Sequence, residues 1–194
     1  MADEKTGIPY AIRPCEKRDL DSARAICEET SSIELKTEQD RRFLLLTFCD
    51  AYVLYADCCF AAADENDRAV GYIFCASDTR RFFRDFRKHI LPEIAALGPK
   101  YAVMGRGVCA AQSLCATFAP AHLHIDLTAA ARGQGVGTAL IQTLKAELKT
   151  RGIAKVGLTV SRKNVNAIRF YERNGFTTLL HAFGENLMRA DTGE

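Results

Sequence analysis

Apolar and polar positions recur along this chain with periods that mark out its elements. "YAIRPC" (10–15) alternates and predicts a first strand ended by Pro14. Ala23, Ile26 and Cys27 share one face of a helix that runs to about Glu29, with Asp19 or Asp21 as its expected cap. Phe43, Leu44, Leu46, Phe48 and Ala51 put an apolar stripe on a second helix over roughly 38–56. "CCFAAAD" and "AVGYIFCASD" predict two strands joined through the polar turn "ENDR". An arginine-rich amphipathic helix, "RRFFRDFRKHI", comes next, and Pro92, Gly98 and Pro99 are expected to break the chain beyond it. "AHLHIDLT" alternates again, as a strand does. Leu140, Ile141, Leu144 and Leu148 line one face of a helix over about 137–151, and Gly152 stands where a helix stop belongs. "KVGLTV" (155–160) predicts a buried strand, 164–174 a short helix stopped by Gly175, and "TTLLHAF" and "ENLMRA" the closing strands. Residues 1–7 read as a frayed tail.

This interleaving predicts an α/β (α+β) domain, with a mixed central sheet of about six to seven strands flanked by helices. Residues 80–120 form a helical insertion between the third and fourth strands. It reads either as an ordinary insertion with a solvated basic face or as a lid over a binding cleft. Neither a repeat nor a linker interrupts the pattern, so residues 1–194 read as one domain.

Composition narrows the function. With 48% hydrophobic and 26% charged residues, the balance is that of a soluble globular protein. A net charge of +2 is too mild to argue for nucleic acid, and no nucleic-acid-binding motif accompanies it. "MADEKTG" has no apolar core, so a signal peptide is not expected there. The most apolar region, 44–63, is interrupted by Asp50 and Asp57, so no membrane span is expected. The eight cysteines form no C-x-x-C and no histidine pair has metal spacing, so no metal is expected. Buried free thiols, and with them a reducing, cytoplasmic location, are the expectation.

The candidate chemistry lies in "HIDLTAAARGQGVGTAL" (124–140), a strand that turns through Gly133, Gly135 and Gly137 into a helix. Helix N-termini offer unpaired amides and a favourable dipole to anions, glycines admit close approach, and Arg132 and Thr138 add a cation and a hydroxyl. A triphosphate loop would need a lysine after its last glycine, and none follows Gly137. A dinucleotide loop would need G-x-G-x-x-G and an acid at the end of the next strand, which instead ends Val160-Ser161-Arg162. A corner without a ligand remains the plain alternative.

"RGQGVG" resembles the R/Q-x-x-G-x-G/A signature of the GNAT superfamily of acyl-CoA N-acyltransferases, with Arg132, Gly135 and Gly137 in its defining positions. About thirty residues on, "NVNAIRFYERNGF" resembles that superfamily's N-x-x-A-x-x-[FL]-Y-x-x-x-G-F element, through Asn164, Ala167, Tyr171, Gly175 and Phe176. Closer still, "IRPCEKRDLDSARAIC", "VGYIFCASD", the long insertion and "HID" look like the acetyltransferase-like domain of O-GlcNAc hydrolases and its free-standing bacterial relatives.

The resemblance implies a single GNAT-like domain using acetyl-CoA as cosubstrate, with transfer of its acetyl group to a primary amine of a small molecule or peptide. It implies that Arg132, Gly133, Gln134, Gly135, Val136, Gly137 and Thr138 hold the pyrophosphate. Leu127 would pair with the pantetheine arm where its strand splays from "KVGLTV", and Asn164 would support the cofactor. Tyr171 resembles the general acid that protonates the leaving thiolate; a core aromatic is the other reading. Asp126 shares a strand face with His122 and His124 by period-2 alternation, and is either the base or a strand-end residue bonded to the turn. His124, as a structural histidine or a substrate contact, and Asp78, at the end of "YIFCASD", are the remaining candidates. A homodimer through terminal strands is one option for the assembly. A catalytically silent acyl-CoA-binding or protein-interaction module of the same fold is the competing function.

Overall fold

The computed structural model describes residues 9–193, so the expected tail at 1–7 lies outside the described residues. Among the described residues, seven strands form a mixed sheet in the order β1-β2-β3-β4-β5-β7-β6. These are β1 (Ala11–Pro14), β2 (Cys58–Ala63), β3 (Ala69–Ala76), β4 (Ala121–Leu127), β5 (Lys155–Ser161), β6 (Thr177–Ala182) and β7 (Glu185–Asp191). The chain falls into two compact units. One takes the sequence up to Cys75 together with His124–Leu144, and the other takes Ala76–Leu123 and the chain from Lys145 on.

In the first unit, β1 and β3 flank β2, both antiparallel to it. α1 (Leu20–Thr30) buries Ala23, Ile26 and Cys27, the stripe its periodicity predicts. Asp19 precedes it without making a side-chain cap. Its carboxylate instead takes a two-pronged contact from Arg13 (2.7 and 2.8 Å) and one from the Glu16 amide (2.7 Å). The predicted second helix is not uniform. α2 (Glu38–Leu45) starts in a capping box between Thr37 and Asp40. A π-helical turn, Leu46–Asp50, then leads into α3 (Ala51–Tyr55). A π turn adds a residue to the helical loop and re-aims the side chains it carries, and such turns are frequent at functional sites. Asp50, buried on this turn, is neutralised by Arg24 (2.9 Å) and Arg42 (2.8 Å).

In the second unit the insertion is helical almost throughout, as α4 (Thr79–Asp85), α5 (Leu91–Ala96), α6 (Pro99–Ser113) and α7 (Cys115–Phe118). Pro92 does not break the chain as expected. It sits in α5 directly after a second π turn at Phe86–Ile90, with the backbone helical through Ile90 and Leu91 and Leu91 N donating to Phe86 O. Gly98, at φ 132°, and Pro99 do separate α5 from α6. Arg80, Arg81, Arg84 and Arg87 are exposed, as a solvated basic face requires. β5 pairs antiparallel with β7 over seven positions, whereas its parallel pairing with β4 covers Ala121↔Val156 and His122↔Gly157 only.

α8 (Val136–Thr150) contributes to both units and buries Leu140, Ile141, Leu144 and Leu148. It ends as the sequence predicts. Gly152 has φ 72°, its amide donates to Lys149 O and that of Ile153 to Leu148 O. α9 (Val165–Arg173) closes the same way through Gly175 at φ 82°, with Gly175 N on Glu172 O and Phe176 N on Tyr171 O. All eight cysteines are free and six of them are buried. Among the described residues no helix is long and apolar enough to cross a membrane, and no group of His, Cys, Asp and Glu side chains is placed to hold a metal.

Candidate active site

The glycine turn is tied down on its inner side and open on its outer side. Thr128 N donates to Val70 O (2.9 Å) as β4 ends, and Ala129 N donates to the Glu29 carboxylate of α1 (2.9 Å). Ala131 and Val136 are buried, while residues 132–135 between them are exposed. Arg132 turns its Nε back to the Leu127 carbonyl (3.1 Å), and Gln134 Nε2 donates to Ala130 O (2.6 Å). Gly133 and Gly135 lie at φ 77° and 80°, the left-handed region where a side chain costs about 1–2 kcal/mol. A Cβ on Gly133 would meet no atom within 4 Å, so glycine is required there by the backbone and not by crowding.

The first intrahelical bond of α8 runs from Ala139 N to Gly135 O (3.0 Å). The amides of Val136, Gly137 and Thr138 therefore precede the helical ladder and have no i−4 acceptor within it. Three consecutive amides at the positive end of a fifteen-residue helix, behind an exposed loop with an arginine, suit an anion.

β4 carries the second group of candidates. Asp126 Oδ2 accepts from the Tyr72 hydroxyl at 2.8 Å. His124 Nε2 lies 3.0 Å from the same oxygen, but off the direction of a hydrogen bond, and it has no hydrogen-bond partner among the described residues. The His124 ring sits among Phe48 (5.7 Å), Tyr52 (5.5 Å) and Tyr72 (6.0 Å). Phe48 comes from the first π turn. Burial, and after it the Asp126 charge, holds the Tyr72 phenol well above the ordinary tyrosine range, so Tyr72 stays a donor. Gly71 lets this part of the sheet close up. A Cβ there would stand 2.5 Å from Leu127 Cδ2 and 3.2 Å from Asp126 O. That Asp126 and His124 share a strand face was legible from alternation. Tyr72 and Phe48 were not, since they meet β4 from 54 and 76 residues away in sequence.

In the second unit the candidates have local roles. Asp78 is exposed and caps α4, accepting from Arg81 N at 2.9 Å. Asn164 caps α9, accepting from Ala167 N at 3.1 Å. Tyr171 is 8% exposed, with its ring against Phe170 (5.3 Å) and edge-on to Phe176 (5.6 Å). His122, on the same strand face as Asp126 by alternation, is buried against Phe82 (4.7 Å) and Phe83 (4.9 Å).

Known proteins share this architecture. A model of the acetyltransferase (GNAT) family matches residues 23–176. The chain is similar to a solved structure of SsHAT, 29% identical over 95% of this chain and 99% of that one, with a TM-score of 0.84. It is similar in fold to the PaiA N-acetyltransferase of Thermoplasma acidophilum, solved with coenzyme A, at 14% identity, 94% and 98% coverage and a TM-score of 0.61. The phosphinothricin acetyltransferase of Sinorhizobium meliloti, solved with acetyl-CoA, shares the fold at 16% identity, 95% and 89% coverage and a TM-score of 0.58.

Proposed function

This chain belongs to the acetyltransferase (GNAT) family, and we propose that it transfers the acetyl group of acetyl-CoA to a primary amine of a small molecule or peptide. The observation that carries the reading is the turn: Gly133 and Gly135 at positive φ, followed by three amides with no acceptor inside α8. Those features fit a pyrophosphate. Arg132 to Thr138 would hold it, and the Leu127 edge of β4, beyond its two β5 pairs, would receive the pantetheine arm. Asn164 supports the cofactor through the helix start that it caps. Bound acetyl-CoA supplies an activated acyl carbon with a thiolate leaving group.

The chain's own residues manage the protons. An amine at neutral pH is an ammonium and must lose a proton before it can attack. Asp126 takes that proton. The neutral nitrogen then forms the C–N bond, the C–S bond breaks, and its electron pair leaves on sulfur. Tyr171 gives its phenolic proton to the thiolate and regains one from the nitrogen of the new amide. The sum is ammonium plus acetyl-CoA to amide, free coenzyme A and one proton. His124 and Asp78 are assigned to the acceptor. Within the family we place the chain near the acetyltransferase-like domain of O-GlcNAc hydrolases, on the residues of its first helix and third strand.

The test is thermal. Acetyl-CoA raises the melting temperature of the wild type, and Gly135→Glu, which puts a side chain at positive φ and a negative charge at the cradle, abolishes the rise. No shift at millimolar acetyl-CoA overturns the reading.

A further inference from the structure

Asp126 is held from one side. The Tyr72 hydroxyl donates to Oδ2 at 2.8 Å, and His124 Nε2 lies 3.0 Å from that same oxygen without a hydrogen bond to it; neither approach is to Oδ1. The Tyr72 side chain has little freedom to let go. It is 1% exposed, and its ring stacks on Phe74 at 4.2 Å and 15° between planes. The donor is thus pinned by packing, and it pins the carboxylate in turn.

We propose that Tyr72 is a positioning residue, which turns Asp126 so that Oδ1 is the atom that takes the proton from the acceptor's ammonium. This rests on the acyl-transfer reading and adds the geometry of its base. In the step, an N–H bond of the ammonium breaks, its electron pair stays on nitrogen, and the proton binds Oδ1. The resulting carboxylic acid returns that proton to solvent after turnover. A symmetrically free carboxylate would lose orientation between its two oxygens; one bonded at Oδ2 presents a single basic atom.

The titratable groups around Asp126 come from α1, the first π turn, β3 and β4. Cys27 of α1 and Cys49 of the π turn face it electrostatically, and burial pushes both thiols up, Cys49 to about 12, so they stay neutral. Glu28 of α1 acts on both cysteines and is itself paired with Arg41 at 2.7 Å. Asp50 is paired with Arg24 and Arg42. His124 of β4 and Tyr72 of β3 are further titratable neighbours among the described residues.

Two variants of the full chain, made at one position, pull in opposite directions. Tyr72→Phe removes the donor without changing the ring, so the acid limb of kcat/KM for amine acetylation moves to higher pH, because a carboxylate that loses a donor binds its proton more tightly. At fixed pH kcat falls about tenfold or more, with KM for acetyl-CoA unchanged. A 3-fluorotyrosine placed at position 72 keeps the donor and makes it more acidic, so the limb moves to lower pH. A purely structural tyrosine would lower the melting temperature of Tyr72→Phe and leave both limbs where they are, and that result overturns the proposal. ¹³C titration of the Asp126 carboxyl gives the same answer without turnover. A midpoint raised in Tyr72→Phe supports the proposal and an unmoved one overturns it. Absence of acetylation in the wild type, by contrast, counts against the acyl-transfer reading itself.

Discussion

Asp126, the proposed base, takes its surroundings from contacts that lie far off in sequence. The alternation of His122, His124 and Asp126 put the carboxylate on a strand face from sequence alone. What gives it direction is Tyr72, 54 residues away on β3, and no local pattern announces a pairing of that span. Asp126→Asn together with Tyr171→Phe should lower turnover by about 10²–10⁴-fold and leave the acetyl-CoA melting shift intact. Loss of the shift in that double variant would show these residues to be structural. Tyr72 also carries a pH signature. Its folded pKa is raised above the unfolded value, so the stability it contributes is complete below about pH 10 and declines as pH rises beyond that. Urea unfolding of the wild type should therefore weaken above about pH 10. Tyr72→Phe should flatten that decline.

At the scale of elements, the parts legible in the sequence were those set by local backbone chemistry. Gly152 and Gly175 mark helix ends because a residue at positive φ is needed to bring the last amides back onto open carbonyls. Asn164 marks a helix start because its side chain replaces a missing acceptor. Each makes a prediction. Gly152→Ala should destabilise by about 1–2 kcal/mol from backbone strain alone, since a Cβ there meets nothing within 4 Å. Asn164→Ala should cost about 1 kcal/mol. Chemical denaturation checks both, and a loss near zero in either would remove the stated cause. The π turns were not legible. The first one re-aims its side chains, so that Thr47 and Asp50 are buried while Phe48 stays half-exposed, and a periodicity of about 3.6 residues does not register that extra residue. Pro92 misled for a related reason. Its ring disfavours a regular helix interior, yet the π turn just before it, with Leu91 N on Phe86 O, accommodates it in a continuous helix.

At the scale of the whole molecule, the strand count, the insertion between β3 and β4 and the strand–turn–helix of the glycine loop were all readable, because each is written in a contiguous stretch. The acceptor is not written that way. The residues around Asp126 come from α1, the first π turn, β3 and β4, and their meeting is a property of the fold. Acyl transfer to an amine is the central claim, and a direct measurement decides it. Purified wild-type chain is incubated with acetyl-CoA and a library of amines, amino sugars, polyamines and peptides, and N-acetylated product and free coenzyme A are quantified by mass. At least one acceptor should give the two products in equal amounts, with product formation lost in the Asp126→Asn, Tyr171→Phe double variant. Acetyl-CoA that binds and stabilises the protein, yet is consumed with no acceptor in the library, would contradict the claim and leave a silent acyl-CoA-binding module.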